Sequence, residues 1–201
     1  MEHAFEVALS EINRDFHVMN ATLLNDVRLL LNKPNDLTQP GRRAVYRGQF
    51  AYMEAIVFLL KREVLLFRSW EGGELSNREL KFLAERKRIG SHDGHYLTRP
   101  YYVSLAMSIS YVVKKYAYVH SFDFDIDTRD PGWVALLRAV NVRNRVTHPK
   151  CFRDLEVTDE EFQLLKHGAS WFRRTLIAMF LECEKAYREY ADALRNAITE
   201  N

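Results

Sequence analysis

Cysteine is nearly absent from this chain of 201 residues, which carries only Cys151 and Cys183. Two thiols give neither a disulfide framework nor a zinc pattern, and they suit a reducing compartment. Long apolar runs are missing as well. No unbroken run exceeds six residues, as at 55–60, whereas a bilayer needs roughly 18 or more. The first five residues hold no basic n-region and no signal-type apolar stretch. The expectation is a cytoplasmic protein without a membrane partner. An excess of charge of one sign is also lacking. With 29 basic and 27 acidic residues the net charge is +2, too weak by itself to announce a nucleic-acid partner. No internal repeat or low-complexity tract divides the chain, so one domain, 1–201, is expected.

Proline and glycine are few, five and eight, and nearly all fall between apolar-periodic runs or at their starts. Only Gly48 and Gly168 interrupt such runs. Between the breaks, apolar residues recur at three and four, the helix period. The runs predict helices over 3–32, with a possible break near Asn20, and over 41–69. A short helix opens at Ser76, with Glu79 completing a capping box. Another spans 99–119, capped by Thr98 with Pro100 in its first turn. It is apolar on most faces and is expected at the centre. A fifth covers 131–147, and a last runs from Thr158, boxed by Glu161, to about 198. Two segments, 86–98 and 120–130, are expected to be irregular. The second alternates Phe122, Phe124 and Ile126 with acids and suggests a short extended piece. Long helices with short connections predict an all-α antiparallel bundle of about five to six helices.

The chemistry concentrates at Arg143, Asn144 and His148, just before Pro149. A guanidinium is a permanent charge in a donor fork that fits phosphate. Histidine is the side chain that gains or loses a proton near neutrality. Together they are the minimum set for breaking a phosphodiester without a metal. An Arg shortly before a His is uninformative here, because Arg86 and His92 or Arg88 and His95 offer it too. Requiring Asn directly after Arg lowers the chance expectation to roughly 0.03 matches per chain of this composition. Only 143–148 meets it. On a continuous helix the five-residue offset splays Arg143 and His148 by about 140°. Pro149 disfavours the α conformation at His148, so a helix end there allows the imidazole to swing back.

An all-α bundle with Arg-Asn-x-x-x-His at a helix end resembles the HEPN superfamily (higher eukaryotes and prokaryotes nucleotide-binding). Its signature is Arg, often followed by a polar residue, then His after four to six intervening residues. Arg143, Asn144 and His148 match it position by position, and 145–150 is similar to prokaryotic members. The resemblance covers about 40–198, with the N-terminal helix 3–32 and the 70–98 segment as elaborations. It implies a metal-independent endoribonuclease, needing no cofactor, whose two motifs face each other in a homodimer. By that carry-over His148 is the general acid or base, Arg143 stabilises phosphate charge and Asn144 orients phosphate or imidazole. The resemblance further implies a toxin or antiphage-defence effector checked by an antitoxin or regulatory protein. The subtype neutralised by nucleotidyltransferase antitoxins has Tyr two residues after the His, where this chain has Lys150. The alternative is a non-catalytic HEPN-fold module binding nucleotides, RNA or a protein. A helical nucleic-acid regulator lacks support, since no helix-turn-helix signature or strong basic stripe is present.

Arg145 and Lys150 flank the motif and are candidates for tracking RNA phosphates, against solvated charge. The basic run Lys81, Arg86, Lys87 and Arg88 either extends an RNA groove or faces water. Glu54 interrupts an apolar run and leans on the site, pairs with Arg47 or lies exposed. No metal is expected. His92, Asp93 and His95 lack further ligands and read as a turn between Gly90 and Gly94. Asp123, Asp125 and Asp127 begin like a calcium loop, but Thr128 and Val134 stand where it needs Gly and Glu. Cys151 has no partner that would make it a nucleophile.

Overall fold

The structure, a computed structural model, describes residues 2–32, 38–72, 74–92 and 95–199. Thr38 caps the second helix, α2 (Gln39–Glu71), by accepting from the Gly41 N–H, and Pro40 occupies its first turn. Helix α2 packs on the first helix, α1 (Glu2–Leu31), on α4 (Leu105–Val119), on α5 (Pro131–Thr147) and on α6 (Asp159–Thr199). It carries Tyr46, Phe50, Met53, Ile56 and Leu60 into the core. These meet Ile109 and Val112 of α4, Leu136 and Ala139 of α5, and Phe162 and Phe172 of α6. The centre expected of α4 is therefore shared with α2, the helix that touches every long neighbour. A short α3 (Asn77–Phe82) and a hairpin of β1 (Arg86–His92) with β2 (His95–Pro100) lie between α2 and α4. The bundle of helices expected from periodicity is present, with this small antiparallel hairpin added.

Three expectations change. Helix α1 is continuous through Asn20, whose Oδ1 accepts from the Tyr52 hydroxyl at 3.0 Å. Residues 99–104 are not helical. Pro100 ends β2 opposite Arg86, Thr98 accepts from Arg86 Nε at 2.6 Å, and Ser104 is the residue that caps α4. A proline without an N–H fits the end of a ladder as well as the start of a helix, which is why the sequence misleads there. The 86–98 segment is a hairpin rather than irregular. Over 120–130 the alternation does set faces, with Ile126 buried and Phe122 and Phe124 packed on the core, but no strand pairs with it. No helix among the described residues is long and apolar enough to cross a membrane.

The predicted capping box of α3 is formed. Glu79 Oε2 accepts from the Ser76 N–H at 3.0 Å and hydroxyl at 2.8 Å. The other oxygen takes Arg68 Nε at 3.0 Å and Lys115 Nζ at 3.2 Å, tying α2 and α4 to α3. Burial pushes this carboxyl up, but the Ser76 donors and the Lys115 ammonium outweigh it and hold it at about 2. A carboxyl lowered on folding stabilises above its ordinary value and loses that contribution as pH falls toward the folded one. Glu79→Ala is expected to cost about 2 kcal/mol at pH 7, a fall of about 4–8 °C in Tm. The deficit should shrink between pH 5 and pH 2. Equal deficits at pH 7 and pH 3 in thermal melts would remove the carboxylate as its source.

Candidate active site

Helix α5 starts at Asp130, which accepts from the Gly132 N–H at 2.6 Å, with Pro131 in its first turn. Its buried face runs through Trp133, Leu136, Ala139, Val142 and Val146. Anchoring Val142 and Val146 leaves Arg143 half-buried at the edge and Asn144 exposed. The Arg143 guanidinium turns toward α2. It forms an ion pair with Glu54, donates to Asn144 Oδ1 at 3.1 Å and lies 5.8 Å from the Phe50 ring centroid. Glu54 lies exposed, as one of its expected placements had it, and its carboxylate pairs with Arg143 rather than Arg47.

These groups close one end of a pocket of about 280 Å³. At its other end Lys61, 4% exposed, donates to Glu85 Oε1 at 2.6 Å and Ser108 Oγ at 2.9 Å. Sequence reading passes over Phe50, Lys61 and Glu85. One signal was available, because Phe50, Glu54 and Lys61 repeat at four and seven along α2 and so share a face. A charged pair at those spacings inside an apolar helix marks a polar seam.

His148 is the C-cap of α5. Its backbone, φ −125° and ψ 61°, has left the helix before Pro149, and its N–H donates to the Asn144 carbonyl at 3.0 Å. The imidazole is exposed and makes no hydrogen bond or ion pair among the described residues. Among the described residues no bond joins it to Arg143. Asn144 and His148 continue an exposed stripe that begins with Val134, Leu137 and Asn141 at helical spacing.

Arg145 has other duties. It donates to the carbonyls of Arg153, Asp154 and Glu156 and both Nη2 contacts fall on the Glu161 carboxylate, at 2.7 and 2.8 Å. Its donors are thus spent on the connection 149–158, in place of the phosphate contacts expected from sequence. Glu161 also completes the capping box of α6 with Thr158. From α2, Gln39 and Arg42 bind the Val157 backbone, and Arg43 donates to the Leu155 carbonyl at 2.9 Å. The chain after His148 is held by side chains of two helices. The Lys150 side chain is exposed and without an ion pair among the described residues, while its N–H donates to Asp154 at 2.7 Å. That donor holds the Asp154 carboxyl below its usual range.

Asp93 and Gly94 lie outside the described residues, as do the side chains of His92 and His95. Among the described residues no group of three His, Cys, Asp or Glu could hold a metal ion. Asp125 and Asp127 bind their own loop, through the backbone N–H groups of Ile126 and Arg129. Comparison with protein-family models, curated proteins and solved structures gives no match.

Proposed function

We propose that the protein is a metal-independent endoribonuclease of HEPN type that acts as a homodimer. The observation that carries this reading is the split motif. Arg143 is oriented by Glu54 and Asn144 beside a pocket, while an unpartnered imidazole projects from a clamped helix end. A guanidinium and an imidazole that do not bond each other in one chain can complement each other across a two-fold axis. The exposed stripe from Val134 to His148 is the surface that would meet its copy. Arg143 and Asn144 bind the scissile phosphate. One His148 takes the proton of the 2′-hydroxyl as its oxygen attacks phosphorus. The P–O5′ bond breaks, and the second His148, protonated, donates to the departing oxygen. The products are a 2′,3′-cyclic phosphate and a 5′-hydroxyl, and DNA, without the 2′-hydroxyl, is inert. Such an enzyme serves as a toxin or antiphage effector restrained by a regulatory protein. The competing reading, a non-catalytic HEPN-fold module that binds nucleotides, RNA or a protein, is favoured by the neutralising contact of Glu54 on Arg143.

The test is incubation of end-labelled total RNA with the purified protein in EDTA, beside DNA of matched sequence. Cutting of RNA alone, leaving ends that phosphatase removes only after acid opening, supports the nuclease. Intact RNA at stoichiometric protein overturns it in favour of the module, and cutting that EDTA stops overturns the metal-independent mechanism.

A further inference from the structure

We infer that the β1–β2 hairpin is an RNA-binding arm that guides the strand backbone across the rim of the Arg143 pocket. The inference deepens the nuclease reading by naming the surface that holds its substrate. In the hairpin register Lys87 stands opposite Arg99. Like charges facing each other across an antiparallel pair destabilise it, so the fold alone does not favour this choice. Neither side chain has a hydrogen bond or ion pair among the described residues. Among the described residues Arg86 donates only to the neutral hydroxyl and carbonyl of Thr98, at 2.6 and 3.4 Å. Lys81 of α3 lies 5.8 Å from the Tyr101 ring centroid, also without a carboxylate partner among the described residues.

Among the described residues, the acids of the neighbouring segments hold other cations. Glu85 holds Lys61, Glu74 holds Arg88, and Glu79 holds Arg68 and Lys115. The chain as a whole is nearly neutral, yet Lys87 and Arg99 on one face of the hairpin and Arg86 on the other stand, with Lys81, near two exposed rings, Tyr101 at 38% and Tyr102 at 80%. Cations that follow a backbone and rings on which bases stack are what single-stranded nucleic acid requires. The position selects RNA. The ladder closes with the Tyr101 N–H donating to the Glu85 carbonyl at 2.8 Å, and Glu85 and Tyr102 both line the pocket that holds Arg143 and Asn144. A strand lying along the arm therefore arrives at the proposed reaction centre.

The test replaces the like-charged pair by Lys87→Thr and Arg99→Thr together. Cross-strand threonines suit a sheet, so this variant is expected to melt at or above the parent temperature. Both parent and variant carry His148→Ala, and binding of a fluorescent single-stranded 20-mer RNA is read by anisotropy in EDTA. The threonine pair should weaken binding about tenfold or more, and the slope of log affinity against log salt should shrink by about 1.4, the loss of two phosphate contacts. Unchanged affinity and slope overturn the arm, as does binding of wild type to vesicles of phosphatidylserine and phosphatidylcholine but not to RNA. The two readings fail separately. If wild type cuts RNA and the threonine pair binds as the parent does, the arm falls and the nuclease stands. If wild type cuts nothing and the pair loses RNA, the arm stands as a binding surface.

Discussion

His148→Ala is expected to reduce EDTA-resistant RNA cleavage by about three orders of magnitude, the range for losing a general acid or base. In the proposed homodimer one substitution removes both imidazoles, and with them the proposed proton relay. The structure makes this variant informative because little else depends on the side chain. Its imidazole is exposed and has no partner among the described residues, and the helix end is secured by the backbone N–H to the Asn144 carbonyl, which alanine keeps. The connection beyond it is held by Arg145, Gln39, Arg42 and Arg43. Stability should therefore change by less than about 0.5 kcal/mol, as for other exposed positions. Loss of cleavage with an unchanged melt and unchanged RNA binding assigns proton transfer to His148. Cleavage at the parental rate, in a preparation matched for purity, would remove His148 from the chemistry and take the HEPN-type mechanism with it.

The helical elements and the site were legible in the sequence to different degrees, for physical reasons. Helix α5 runs over the residues its prolines announce, since Pro131 presets the first turn and Pro149 forces His148 out of the helix. The boxes at Ser76 with Glu79 and Thr158 with Glu161 are local, three residues apart, and so could be read directly. The hairpin was not legible. Arg86 to His92 presents cations rather than apolar alternation, and its support comes from outside it, through Lys61 to Glu85 and the Leu75 carbonyl to Arg88. The site divides in the same way. Arg143, Asn144 and His148 form a short pattern, but Glu54 reaches Arg143 from another helix, and no local spacing encodes that. Arg145 shows the opposite error. Next to Arg143 and Asn144 it reads as a candidate phosphate ligand, whereas the fold gives it three carbonyls and a carboxylate.

Gly168→Ala should lower stability by about 3 kcal/mol, although helix propensity argues the other way. In the interior of α6 alanine would be favoured by about 1 kcal/mol. The contact decides against it. A Cβ at residue 168 would stand 2.8 Å from the Leu136 Cα and 2.9 Å from its nitrogen. Those are backbone atoms of α5 and have no rotamer in which to yield, so the helices must separate. Overpacking of this kind costs about 1–3 kcal/mol where side chains give way, and more where they cannot. For a chain of this size the loss corresponds to about 6–12 °C in Tm. Gly48, the other glycine inside an apolar run, supplies the control. Its added Cβ would lie 3.3 Å from the Leu30 Cδ1, the end of a flexible side chain. Gly48→Ala should therefore be neutral or stabilising by up to about 1 kcal/mol. The two variants make the same chemical change in helices and differ in what lies opposite. If both melt at or above the wild-type temperature, the close crossing of α5 and α6 is refuted, and with it the frame that positions Arg143 and His148. If Gly168→Ala alone melts early, helix α5 is held against α6 by backbone contact, and the candidate site inherits its placement from a residue with no side chain.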